Sequence, residues 1–146
     1  MSDGRLRVAI AALALAGASI ASYLAYTRYS GAPIACSTGG CETVQRSRYA
    51  ELSGVPVAVL GLALYLGILV TALRPGELAA GAGAVLAVAG TLFADYLLVV
   101  QLAVIGAVCQ WCVASDVLVT ALAVLALVRF RRELPGAGVR MQERPT

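Results

Sequence analysis

Four long apolar runs, separated by short polar breaks, organise the chain. From Val8 the stretch V-A-I-A-A-L-A-L-A-G-A-S-I-A-S-Y-L-A-Y carries no charge, and about 20 such residues cross a ~30 Å hydrocarbon core as a helix. Tyr23, Tyr26 and Tyr29 sit at its far end, where amphipathic rings anchor at the headgroup level. Residues 30–54 then break the pattern: Gly31, Pro33, Gly39 and Gly40 punctuate a polar loop that holds Cys36 and Cys41. Within it, the mixed pattern from Glu42 to Leu52 predicts a short helix lying on the membrane surface. A second run opens at Gly54-Val55-Pro56 and ends at Leu73, before the turn Arg74-Pro75-Gly76-Glu77. The third, interrupted only by Asp95, Tyr96 and Gln101, is longer than one crossing requires and so tilts or projects. The fourth starts near Trp111. The expected spans are about 8–28, 55–73, 80–105 and 111–128, giving an all-α membrane protein with a four-transmembrane-helix bundle in one domain. Gly81, Gly83, Gly90 and many Ala supply small surfaces for close helix packing.

Composition agrees with the pattern: 60% of residues are hydrophobic and 13% charged, and the mean hydropathy is +0.86. Arg5 and Arg7 ahead of the first run give it the look of a signal peptide, but its length predicts a retained helix. Every basic residue is Arg, and four crossings would set Arg5, Arg7, Arg74, Arg129, Arg131, Arg132, Arg140 and Arg144 on one side against Arg28, Arg46 and Arg48 on the other. That asymmetry predicts cytoplasmic termini and an extracytoplasmic cysteine loop, and it does not suggest nucleic-acid binding. His is absent, which removes the usual general base and His-ligated haem or zinc.

The candidate chemistry is therefore sulfur. Cys36 and Cys41 lie in the first loop, and Cys109-x-x-Cys112 lies at the junction of the third and fourth runs, on the same expected face. Three readings follow: static disulfides bracing the loops, a four-Cys metal site, or a thiol relay. A C-x-x-C ring restricts the unfolded chain little, and its place at a helix N-terminus favours thiolate. The x4 and x2 spacings suit a metal site only in part, and an oxidising compartment competes for thiols. A relay needs two pairs, one meeting a soluble partner and one beside apolar helices that hold a lipid-soluble acceptor. Thiols re-oxidised in a membrane without haem or His point to a quinone.

The stretches C-E-T-V-Q-R-S-R-Y-A-E-L-S-G-V-P-V-A-V-L-G-L-A-L-Y (41–65) and V-I-G-A-V-C-Q-W-C-V-A-S (104–115) resemble the bacterial vitamin K epoxide reductase family, and the likeness covers nearly the whole chain. The resemblance implies a thiol:quinone oxidoreductase in a bacterial or archaeal cytoplasmic membrane: four helices around a quinone pocket, under a horizontal loop helix. By the same resemblance, Cys112 faces the quinone (menaquinone or ubiquinone), Cys109 is its disulfide partner, Cys41 exchanges with Cys109, and Cys36 exchanges with a thioredoxin-like (DsbA-like) protein. Ser47 matches the family's loop Ser near the quinone. Many bacterial relatives carry a fused thioredoxin-like domain; its lack here predicts a separate partner. Family loop pairs are commonly further apart than Cys36 and Cys41. The vertebrate Asn and Tyr that hold the quinone oxygens fall at Val57 and Asp116, so vitamin K epoxide is a poor substrate expectation. An oxidase of the DsbB type, with different connectivity, shares the reaction but lacks the Ser and G-V-P context. Asp116, one turn after Cys112, is expected to relay a proton or to raise the Cys112 pKa by like-charge repulsion, and Asp95 is expected to face the bundle interior; for each, a structural or interfacial role weighs evenly against a proton role. Trp111 is a candidate pocket aromatic, whereas aromatic packing is the leading account of Tyr96, with a place at the pocket as its alternative.

Overall fold

A computed structural model describes residues 1–135, so Arg140 and Arg144 lie outside the described residues. The apolar runs fold into long helices: α1 (Asp3–Ser30), α3 (Val57–Leu73), α4 (Glu77–Val100) and α5 (Gln110–Glu133), with a one-turn α2 (Cys41–Gln45) in the loop. The four long helices pack in a ring, α1 against α3 and α5, and α4 against α3 and α5. Three of the apolar stretches, Asp3–Ser30, Glu77–Ile105 and Gln110–Glu133, are long and apolar enough to cross a membrane; α3 is apolar but has 17 residues. The packed interior is built largely from small residues, with Ala14, Ala18, Ala84, Ala87, Ala123 and Ala126 around Ile10, Tyr65, Ile68 and Leu122. Larger side chains such as Leu15, Leu66, Val85, Leu92, Val99 and Val124 point outward. This inversion suits a lipid solvent, in which close backbone approach rather than apolar burial drives helix association.

Both helix ends near the chain termini are tied by arginine. α3 finishes without a glycine cap, and its last carbonyls are taken by side chains instead: Arg7 donates to the carbonyls of Ala72 and Leu73, and Arg129 to those of Thr71 and Arg74. Arg129 is buried but fully engaged, because Glu133 pairs with it one turn on. A buried charge of this kind is tolerable only when its donors are satisfied.

The opposite end carries the cysteines. The segment expected as one surface helix is divided into α2, a 3-10 turn (Arg48–Ala50), and a two-residue ladder pairing β1 (Glu51–Leu52) with β2 (Val55–Pro56). Ser47 is the break: its backbone is extended, and its hydroxyl donates back to the Val44 carbonyl at 2.7 Å, competing with helix continuation. Ser53 and Gly54 turn the ladder with positive φ, and an Arg28–Glu51 ion pair ties it to the end of α1. α4 runs without a break into a π-helical turn, Gln101–Ile105, closed by Gly106 at φ 69°. Asp95 departs from expectation. It is exposed on the outer surface of α4, because the inward stripe of that helix runs through Ala80, Ala84 and Ala87 and leaves position 95 off the face.

Candidate active site

All four sulfurs gather at this end. Cys41, Val44 and Cys109 form a buried cluster, with Cys36, Trp111 and Cys112 packed against it. Cys36 and Cys41 are joined in a disulfide, and Cys109 and Cys112 are free thiols. The loop reaches the junction through close backbone contact: a Cβ on Gly40 would lie 2.5 Å from the Val108 carbonyl oxygen, so only glycine allows the approach. Thr38 strengthens it by donating its hydroxyl to the same carbonyl at 2.8 Å. Residues on both sides of Cys36 are pinned from the bundle. The Ala35 N–H donates to the Tyr23 hydroxyl, the Trp111 indole N–H donates to the Ala35 carbonyl at 2.7 Å, and the Ser37 N–H donates to the Gln110 side chain at 2.8 Å. Cys36 remains half-buried while Cys41 is fully buried, so the outer sulfur is the reachable one of the loop pair.

Cys109 is the N-cap of α5, and its sulfur accepts the Cys112 N–H at 3.3 Å. Its own N–H donates to the side-chain oxygen of Gln101 at 2.9 Å. Gln101 is buried, and its backbone carbonyl accepts from both Gly106 and Ala107, so this one residue accepts three hydrogen bonds at the α4–α5 junction. The Cys109 thiol is lowered from 9.0 to about 7. The Cys112 thiol hydrogen-bonding to it is the largest cause, aided by the N–H groups of Cys112 and Trp111 and by the Gln45 amide, and burial opposes them. The Gln45 amide also donates directly to the Cys112 sulfur at 3.5 Å.

Beneath the sulfurs lies a cavity of about 370 Å³, within the range of small-molecule sites. Its walls are apolar, with Leu64, Phe93, Leu97 and Ile105 among them, and a few polar groups converge on it: Gln45, Ser47, Gln101, Cys112 and Asp116. Asp116 is 7% exposed, and its Oδ1 is buried without a hydrogen-bond partner among the described residues. An orphaned carboxyl oxygen at the wall of an apolar cavity fits a ligand that brings a polar atom there, as a quinone oxygen would. Tyr65 supports the same turn of α5 from below, its hydroxyl shared between the Ser115 carbonyl and Oγ at 2.8 and 2.7 Å.

Of the residues singled out from the sequence, Cys112, Ser47, Val57 and Asp116 line the cavity. Cys36, Cys41 and Cys109 stand at the adjoining sulfur cluster. Trp111 is not among the lining residues; it packs edge-on against Tyr23, ring centroids 5.3 Å apart, and holds the loop. Tyr96 is exposed and lies beside Phe93 on the outer face. Gln45 and Gln101 were not anticipated. The sequence carried a signal only for Gln101, a lone amide in an apolar run; Gln45 sits among the charged residues of the loop, where nothing singles it out. Over residues 8–127 the chain matches the model of the Vitamin K epoxide reductase family.

Proposed function

We propose that this chain, which belongs to the vitamin K epoxide reductase family, passes electrons from a thioredoxin-like (DsbA-like) protein through two cysteine pairs to a membrane quinone, in support of disulfide formation. Membership makes it a membrane oxidoreductase acting on thiols and quinones. The observation that carries the fuller reading is the sulfur arrangement: a reachable Cys36 in a disulfide with a buried Cys41, packed on free Cys109 and Cys112, the last of which lines an apolar cavity.

The relay balances as follows. A partner thiolate attacks Cys36, Cys41 leaves as thiolate, and the partner's second thiol resolves the mixed disulfide, so the partner is oxidised and the loop pair reduced. Cys41 then attacks Cys109 of a closed Cys109–Cys112 bond and releases Cys112 thiolate. Cys36 resolves, leaving the loop closed and the C-x-x-C open. That is the pairing described above. A quinone in the cavity supplies the terminal acceptor, taking two electrons and two protons as the C-x-x-C closes. Cys112 faces it, Ser47 and Val57 shape the wall, and Asp116 holds a proton where a quinone oxygen would lie.

For topology, α3 at 17 residues is ~26 Å long and serves as a fourth crossing of a ~30 Å core. The arginine-rich end with Arg7, Arg129 and Arg132 is then cytoplasmic, and the sulfur end is extracytoplasmic with the loop lying along the surface. The test is Cys112→Ser: quinone reduction by a reduced thioredoxin-like protein should be abolished, and turnover at the parent rate would overturn the assignment.

A further inference from the structure

Gln45 occupies a position that the relay alone does not explain. It is the last residue of α2, four residues after the disulfide-bonded Cys41, yet its side-chain amide reaches across to donate to the Cys112 sulfur at 3.5 Å. Cys112 in turn lies against Cys109, whose sulfur is the N-cap of α5. The Gln45 amide N–H donates to the Cys112 sulfur, and the Cys112 thiol, packed beside Cys109, is in turn the group that most lowers the Cys109 thiol. Such an arrangement holds one negative charge on the cysteine pair, and a donor to an ionised acceptor is worth more than one to a neutral acceptor.

We propose that Gln45 is a positioning residue for the thiolate of Cys112, delivered by the docking of the loop. Resting on the relay reading above, the proposal adds a link between the two pairs that is electrostatic rather than covalent. While Cys109 carries the charge, Gln45 supports it both directly and through the Cys112 thiol. Once Cys109 is bonded to another sulfur, the charge falls on Cys112 and Gln45 becomes its direct donor. Because Gln45 rides on the same short helix as Cys41, and that helix is seated through Gly40 against Val108, Cys112 is activated only while the loop pair is in place beside Cys109. A detached loop would leave Cys112 facing the apolar cavity without this donor. The other titratable groups around that sulfur are Cys109 and Asp116 on its own helix side, Tyr65 from α3 and Tyr49 from the loop. Tyr65 already donates to Ser115, and no hydrogen bond joins Asp116 or Tyr49 to the Cys112 sulfur among the described residues, so Gln45 is the side chain that donates to it.

The test measures alkylation of Cys112 by N-ethylmaleimide at pH 7 in the full-length, detergent-solubilised Cys109→Ala protein with the loop disulfide intact, and mass spectrometry locates the label. It needs neither quinone nor partner, so it can fail while the relay stands, and the relay can fail while it succeeds. Adding Gln45→Met, which keeps the side-chain length, should slow labelling about tenfold through loss of thiolate. Adding Gln45→Glu, near-identical in shape but carrying an acceptor in place of the donor, should slow it at least as much. A merely space-filling Gln45 predicts the parent rate for the Met variant, and a loosened loop predicts faster labelling through better access. An unchanged or increased rate in either variant overturns the proposal.

Discussion

The acidity of Cys109 can be tested by removing the group that contributes most to it. In Cys112→Ala the thiol donor disappears while the backbone N–H groups of residues 111 and 112 stay, so the Cys109 midpoint should climb from about 7 part of the way back toward 9.0. Complete recovery sets the limiting size. At pH 7 a thiol with its midpoint at 7 is about half ionised, whereas one at 9 is about one-hundredth ionised, a roughly fiftyfold difference in thiolate. The more basic thiolate is also the better nucleophile, by about eightfold over two units at a Brønsted slope of ~0.45. The parent should therefore alkylate at most about sixfold faster than the variant at pH 7, and the order should reverse near pH ~8, as the variant's more nucleophilic thiol ionises. The assay is the pH profile of iodoacetamide labelling at Cys109, with Cys36 and Cys41 replaced by Ala in both proteins so that no disulfide exchange intervenes. Crossing profiles are the signature of acidity, because a change of access would scale the curve without moving its midpoint. Profiles with one shared midpoint would refute the reasoning.

Three further outcomes follow from the same geometry. Gly40→Ala places a methyl 2.5 Å from the Val108 carbonyl oxygen and must lift α2 from the junction, so quinone reduction driven by a reduced partner should fall at least about tenfold, and an unchanged rate would show that loop seating is unimportant. Tyr65→Phe removes both hydrogen bonds to Ser115 at a cost of about 1 kcal/mol, which should lower the thermal unfolding midpoint by ~2–4 °C while the cavity keeps its shape. Asp116→Asn keeps the volume but removes the proton, so kcat for quinone reduction should drop about a hundredfold with little change in KM; a rise in KM alone would make Asp116 a binding group only.

The parts of the fold legible in the sequence were those governed by hydropathy and by rare residues. Uncharged runs bounded by Arg, Pro and Gly marked the helices, because lipid tolerates no unsatisfied backbone and leaves few alternatives. Four cysteines, in a chain without His, marked the chemistry. What stayed hidden depends on helix rotation and on amides. Asp95 looked like an interior group because an ionisable residue within a span usually is one, but a rotation of one residue sets it on the outer face of α4. Trp111 looked like a pocket aromatic because it lies between the two cysteines. Yet the first turn of α5 points position 111 toward the loop and position 112 toward the cavity, as adjacent helical positions must diverge by about 100°.

Gln101 makes the same point from the other direction. In the sequence it is one polar residue near the end of an apolar run, indistinguishable from an interfacial anchor. In the fold it supplies the acceptor for the N–H of Cys109 and, through its carbonyl, for two N–H groups released where the helix widens into a π turn and stops at Gly106. A π turn leaves N–H groups that an α-helix would have paired, and the side-chain and backbone carbonyl oxygens of a buried Gln are well suited to accept them. The junction is thus rigid where its sulfur must be presented to the loop. That rigidity is what lets a five-residue helix carrying both Cys41 and Gln45 meet Cys109 and Cys112 in one docking step. In the proposed relay, sulfur exchange and thiolate stabilisation would share this single surface, so weakening either side of it should slow both.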